Sequence, residues 1–132
     1  MELAEFEQLV NEAIGQIPDN VRRNLKNVAF VVEHYHRQPR SNEIVIRRGA
    51  VLLGLYQGVP LTRRGGPGYN MVLPDKITIF QDTIEQIAGG DPGRIRDIVT
   101  DTVHHEIGHY LGFNEAEVRR WERQRKSSSS RQ

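Results

Sequence analysis

The sequence predicts an α+β fold in which a small β-sheet of about three strands packs against helices. Apolar segments that are predicted to form strands lie at 27–33, 51–56 and 76–80. Helical periodicity flanks them, with one amphipathic segment at the start of the chain and a longer one near its end. The 132 residues have the size of one domain, which we place at 1–125, followed by a Ser-rich tail at 126–132 that we expect to be disordered.

The helices are predicted from apolar residues three and four positions apart and from the residues that begin and end them. These helices span 2–17, 82–88, 92–111 and 114–125, with a further helical turn at 19–25. Asp82 and Asp91 are the expected caps of the second and third helices, and Gly112 is expected to end the third in a left-handed conformation. The polar segment 34–48 and the Gly-rich segment 60–74 are predicted loops.

Composition excludes several classes of protein and of site. A formal net charge of +1 provides no field that favours nucleic acid, and no apolar run is long enough to cross a membrane. The amino-terminal residues are acidic and lack the features of a secretion signal, so we expect a cytoplasmic protein. Because the chain has no cysteine, any metal ion must be bound by histidine, carboxylate or water.

The predicted long helix carries the pattern HExxH at His105, Glu106 and His109. Two residues four positions apart are separated by about 40° around a helix, so both imidazoles can reach one ion. Glu106 projects about 100° from His105 and can reach a water on that ion without being a ligand. The apolar residues of the helix cluster on its other side, at Val99, Val103, Ile107, Tyr110 and Leu111. This segregation predicts a metal site on one face and the core on the other.

The pattern extends through Gly112 to Glu115, as HExxHxxGxxE. Catalytic zinc takes three protein ligands and leaves a fourth position for water, so Glu115 is the candidate third ligand of one Zn²⁺ per chain. Gly112 can adopt positive φ and turn the chain back toward the ion. Glu106 would take a proton from the zinc-bound water and pass it to the leaving amine. As an alternative, Glu115 begins the last predicted helix and stabilises the helix dipole without any metal.

Other residues are weaker candidates. Asp101 lies one turn before His105 on the same face, where it is either a ligand or an acceptor for an imidazole N–H. Tyr69 either hydrogen-bonds a tetrahedral intermediate or lies in a mobile connection. His104 points away from the metal face, and we expect it on the surface or behind the ligands. His34 and His36 are either a second ion site or an exposed polar strand end.

These segments resemble the small bacterial zincin-like metallopeptidase family, which has a minimal zincin fold. The resemblance covers about residues 2–122, with a helix followed by NVAFVVE, LLGLYQGVPLT, LPDKITIF and HEIGHYLG. It implies a small mixed sheet packed on helices, zinc on His105, His109 and Glu115, and Glu106 as the general base. In zincins an edge strand above the cleft also pairs with an extended substrate. That strand is expected to be 51–56 or 76–80, unless both are ordinary core strands.

The chain departs from the larger zincin groups in two respects. Metzincins have a histidine or aspartate where this chain has Glu115, and they have a methionine turn after the motif, whereas both methionines here precede it. Gluzincins take their third ligand from a glutamate far downstream, whereas the last carboxylate of this chain is that of Glu122. The sequence therefore indicates a metal site whose third ligand differs from that of metzincins and from that of gluzincins.

The predicted function is zinc-dependent hydrolysis of peptide bonds in a peptide or protein substrate. The alternative is a non-catalytic zinc-binding domain that is structural or binds other proteins. A third reading, nucleic-acid binding by the basic carboxyl end, is disfavoured because glutamates are interleaved with its arginines. We therefore expect neither a nucleic acid nor a membrane as a partner.

Overall fold

A mixed four-stranded sheet and the helices packed on it make up the fold, which is α+β as predicted. The computed structural model describes residues 1–25, 27–58, 75–112, 116–117, 119–120 and 123. The helices are α1 (Leu3–Gly15), α2 (Asp19–Arg22), α3 (Gln81–Ala88) and α4 (Pro92–Tyr110). The strands are β1 (Val28–Glu33), β2 (Ile44–Arg48), β3 (Val51–Gln57) and β4 (Asp75–Phe80). No membrane-crossing helix is found in this part of the chain.

Several predictions fall at or beyond the limits of the described residues. The described residues of the helix predicted at 114–125 are all helical. The Gly-rich segment 60–74 and the tail 126–132 lie outside the described residues.

The strand order is β1-β4-β3-β2, with β1 parallel to β4 and the other neighbouring pairs antiparallel. The prediction of a loop at 34–48 is wrong at its carboxyl end, because Ile44–Arg48 forms β2. Ile46 pairs with Gly54 of β3 and is 7% exposed, whereas Ile44, two residues earlier on the same face, is 62% exposed at the start of the strand. The preceding polar residues and the two arginines that end β2 conceal its short apolar run in the sequence.

The central strands are β3 and β4, which favours the reading of both as ordinary core strands over that of an edge strand that pairs with substrate. A two-residue turn at Gly49 and Ala50 joins β2 to β3, and Gly49 has a φ of 62°. β4 follows β3 in the chain and lies between β1 and β3 in the sheet. Each of the two strands β3 and β4 is therefore paired on both sides. The strand at the end of the sheet next to β3 is therefore β2.

Gly54 has both of the roles that a glycine within a strand predicts, a β-bulge and a close approach of backbones. The register of β2 and β3 passes from Ile46 opposite Gly54 to Arg47 opposite Leu52, so Leu53 is the extra residue. A Cβ atom on Gly54 would lie 2.1 Å from the carbonyl oxygen of Thr78 on β4. The bulge lets Leu53 join the core, where it is 4% exposed.

The hydrophobic core lies between the sheet and the helices. α4 packs against both α1 and α3, while α3 contacts β3 and α1 contacts β1. Core side chains that are no more than 2% exposed include Phe6, Val10, Ile77, Ile79, Val99, Val103, Ile107 and Tyr110. The last four of these were predicted from the periodicity of α4, so the apolar face of that helix is confirmed.

The helix ends agree only partly with the predicted caps. α4 begins with Pro92 after Asp91, and Gly112 has a φ of 87°, as expected, but the side chain of Asp91 forms no capping hydrogen bond within the described residues. Asp82 is not the cap of α3, because it lies within the first turn. It instead accepts hydrogen bonds from the backbone and ring Nδ1 of His36, at 3.0 and 2.6 Å. Burial raises the pKa of Asp82, but these hydrogen bonds outweigh burial and lower it. They bind the segment after β1 to α3.

A second polar cluster orders the connection that leads into β2. Nη1 and Nη2 of Arg37 each donate a 2.8 Å hydrogen bond to the carboxylate of Glu43, whose side chain is 1% exposed. The backbone N–H of Arg40 donates to the same carboxylate, and Nε of Arg37 donates to Glu33 at 3.3 Å. The hydrogen bonds from Arg37 lower the pKa of Glu43 to about 2. Glu33 ends β1 and Glu43 precedes β2, so this cluster connects the two strands.

We expect the Glu43→Gln substitution to lower the free energy of unfolding at pH 7 by about 1.5–3 kcal/mol, because Arg37 loses a charged acceptor. The folded protein holds the pKa of Glu43 below its ordinary value of 4.5, at about 2. Its contribution is therefore complete above pH 4.5 and is lost as the pH falls toward 2. Urea unfolding from pH 7 to pH 3 measures the free energy of unfolding of wild type and variant. The difference between the two is expected to become smaller as the pH falls.

Glu33→Gln is the matched control, since Glu33 is more exposed and its hydrogen bonds to Arg37 are longer. Its effect is expected to be smaller at every pH. A stability difference for Glu43→Gln that is the same at pH 7 and pH 3 would contradict a role for the charge of Glu43.

Candidate metal centre

Two imidazoles converge on the face of α4 that is turned away from the core. His105 and His109 are half-buried, and their Nε2 atoms are 3.0 Å apart. The ring centroids are 4.7 Å apart and the ring planes meet at 61°. The separation of four residues on a helix produces this arrangement, as the sequence predicts.

The distance between the two nitrogen atoms suits a zinc ion. Zn–N bonds of about 2.0–2.1 Å at tetrahedral angles place two ligand nitrogens about 3.3 Å apart. The 3.0 Å between Nε2 of His105 and Nε2 of His109 is close to that distance. Neutral imidazole nitrogens are also among the donors that zinc prefers. The two histidines therefore fit two adjacent positions of a zinc site.

A cluster of three metal-binding side chains is not present within the described ranges. Glu115, the predicted third ligand, lies outside these ranges, and so does Tyr69. Their roles stay predictions from the sequence. Gly112, with its positive φ, separates His109 from the segment that contains Glu115.

Glu106 lies beside the histidine pair and faces open space. It is half-buried and, together with His105, lines a cavity of about 230 Å³ between α4 and the end of β2. The remaining lining residues are Ile46, Arg47, Arg48, Leu53, Asp101 and Thr102. A carboxylate at this position has room for a water or a substrate group beside it.

Asp101 lies one turn before His105 and lines the same cavity. It is half-buried, as are His105 and Glu106. The structure therefore brings Asp101 to the site, on the face that the helical periodicity predicts.

His104 is a buried histidine, so of its two expected places the surface position is wrong. Its side chain is fully buried, and its Nε2 lies 2.7 Å from the carbonyl oxygen of Ala13 in α1. Position 104 is three residues before the buried Ile107, which places the two on neighbouring parts of one helix face. That spacing was the available signal for burial of His104, but a polar imidazole is not expected on an apolar face.

The other two histidines form a polar strand end. His36 contacts Asp82, and the ring of His34 stacks on that of Tyr35 with centroids 4.4 Å apart. Of the two readings of this pair, these contacts favour the polar strand end over a second ion site.

The cavity also contains residues that the sequence did not single out. Ile46, Arg47 and Arg48 belong to β2, which was predicted as loop, and Leu53 occupies the bulge of β3. The short β-branched run of Ile44, Val45 and Ile46 was the signal for a strand there. β2 is far from the HExxH motif in the sequence, so nothing in the sequence indicated that the two lie side by side in the fold.

A comparison with family models gives a match to the zincin-like metallopeptidase family over residues 25–125. The match includes β1, β2, β3 and β4 as well as α3 and α4. No curated protein matches the chain.

We expect His104→Ala to lower the free energy of unfolding by about 2–4 kcal/mol, because it leaves a cavity and removes one of two hydrogen bonds to the Ala13 carbonyl, the other coming from the backbone N–H of Gln16. Its neighbour His105 is half-buried, so His105→Ala is expected to cost less than about 1 kcal/mol. Urea unfolding in the presence of a metal chelator compares the two variants without any contribution from bound zinc. Equal losses would contradict the assignment of His104 to the core.

Proposed function

The chain belongs to the zincin-like metallopeptidase family, and we propose that it is a zinc-dependent peptidase that hydrolyses peptide bonds with an activated water. The observation that carries this proposal is the convergence of Nε2 of His105 and Nε2 of His109, together with the open cavity that His105 and Glu106 line. Membership of the family implies zinc binding, and the spacing of the two nitrogens supports it. The cytoplasmic location stays a prediction from the sequence.

We assign one zinc ion per chain to His105, His109 and Glu115. The first two residues present their nitrogens on the same side of α4. Gly112 turns the chain just after the helix, and Glu115 follows three residues later. Two neutral imidazoles and one carboxylate form a ligand set that leaves a position for water.

Bound zinc would lower the pKa of a water molecule and polarise the carbonyl group of the substrate. Glu106 takes a proton from the attacking water and transfers it to the nitrogen of the leaving amine. Asp101 accepts a hydrogen bond from the ring N–H of His105 and so fixes the orientation of that ring. Tyr69 is assigned a hydrogen bond to the oxygen of the tetrahedral intermediate.

The substrate is proposed to bind as an extended strand along β2. β2 is the last strand in the sheet order, so within the described residues its outer edge carries no further strand. Its residues Ile46, Arg47 and Arg48 line the cavity that Glu106 and His105 share. A peptide on this edge would form backbone hydrogen bonds with β2 while its backbone passes the cavity.

Glu106→Gln is expected to retain zinc and to lose about 10²–10⁴-fold in the rate of peptide hydrolysis, because the amide cannot accept the proton. A quenched fluorescent peptide library measures the activity, and mass spectrometry of the native protein measures zinc. Glu7→Gln, an exposed position on α1, makes the same chemical change away from the site and is expected to leave the rate unchanged.

Two results would contradict the proposal. Hydrolysis by Glu106→Gln at the wild-type rate would exclude this residue as the base. A zinc-loaded wild type that cleaves no member of the library would favour a non-catalytic zinc-binding domain.

A further inference from the structure

Two arginines form one wall of the cavity that contains Glu106. Arg47 and Arg48 are the last residues of β2, both are exposed, and both line the cavity. We call this pair the basic wall. α4 provides the opposite wall, with Asp101, His105 and Glu106.

The side chains of the basic wall have no partners among the described residues. Within this described part of the chain, the side chains of Arg47 and Arg48 form neither a hydrogen bond nor an ion pair, whereas their backbones belong to the pairing of β2 with β3. Arg37, by contrast, lies in the connection between β1 and β2 and donates hydrogen bonds to Glu43 and Glu33. Asp101 and Glu106 across the cavity also take part in interactions of the chain. The two guanidinium groups are therefore the ones available to a ligand.

The fold holds the basic wall in place at both ends of β2. The tight turn at Gly49 follows Arg48 directly, and Glu43, with its hydrogen bonds from Arg37, precedes the strand. Alternate residues of a strand point to the same face, so Arg48 shares the face of the buried Ile46 and Arg47 starts from the other face, and both residues line the cavity at the end of the strand. The backbone from which the two exposed side chains extend is therefore fixed beside the cavity.

We infer that the basic wall binds a carboxylate of the substrate, so that the enzyme selects peptides with a carboxylate close to the scissile bond. This inference rests on the proposed peptidase function. A carboxylate matches a guanidinium in geometry and can accept two parallel hydrogen bonds from it. The sources of such a carboxylate in a peptide are an acidic side chain and the free carboxyl terminus.

The rest of the cavity favours a single negative charge over a more highly charged anion. Asp101 and Glu106 on the opposite wall repel anions, and this repulsion grows with the charge of the ligand. A volume of about 230 Å³ accommodates a group of side-chain size. These features indicate a carboxylate group of a peptide.

The test uses peptides that differ only in their carboxylates. One heptapeptide carries a central Glu and an amidated end, a second carries Gln and a free carboxyl terminus, and a third carries Gln and an amidated end. Binding to zinc-loaded Glu106→Gln is measured by fluorescence anisotropy, and cleavage by wild type is measured in parallel. The double variant Arg47→Gln/Arg48→Gln is compared with Arg96→Gln, an exposed arginine nine residues before His105 on α4.

We expect at least one carboxylate peptide to bind about five- to tenfold more tightly than the neutral peptide, with a preference that weakens as salt is raised. The double variant is expected to lose this preference and to keep its affinity for the neutral peptide, whereas Arg96→Gln keeps both. The peptide that shows the preference identifies the source of the carboxylate.

The outcomes separate this inference from the peptidase proposal. Equal binding of all three peptides, or a preference that survives in the double variant, overturns the role of the basic wall even if wild type cleaves them. A preference that depends on Arg47 and Arg48 in a protein that cleaves none of the peptides supports the carboxylate site and contradicts the peptidase proposal.

Discussion

The site depends on the division of α4 into two faces. One face is anchored in the core by Val103 and Ile107, and His104 extends this anchor through its contact with Ala13 of α1. The helix cannot rotate without exposing these residues, so the orientation of the opposite face is fixed. That face carries His105 and His109, and the fixed orientation of the helix places their Nε2 atoms 3.0 Å apart. Burial of apolar side chains on one face of α4 thus determines where the two imidazoles lie.

The second wall of the cavity comes from a distant part of the sequence. β2 is placed beside α4 by the order of the sheet, in which β4 separates β1 from β3. The bulge at Leu53 and the absence of a side chain at Gly54 allow β3 to lie close to β4 while Leu53 faces the cavity. The pair of Arg37 and Glu43 then fixes the segment that enters β2. The cavity is therefore a product of the sheet topology as much as of the HExxH motif.

The sequence predicted those parts of the fold that local periodicity or residue preference determines. The faces of α4 and the turn at Gly112 belong to this group. It did not predict β2, because the stability of an edge strand comes from pairing with β3 and not from its own short pattern. His104 was misplaced because its burial depends on a carbonyl of α1, 91 residues away in the sequence. The spacing of His104 from Ile107 indicated the helix face on which it lies, but not the carbonyl group that accepts its hydrogen bond.

The central claim is that His105 and His109 together hold a zinc ion, and zinc content measures it most directly. Native mass spectrometry of wild type, His105→Ala, His109→Ala and Glu115→Ala gives the number of ions per chain, with His36→Ala as the control. One zinc in wild type and in the control, and none in the two histidine variants, is the predicted result, and loss in Glu115→Ala would identify the third ligand. A wild type that binds no zinc when zinc is supplied, or zinc that is retained without His105 and His109, would contradict the account.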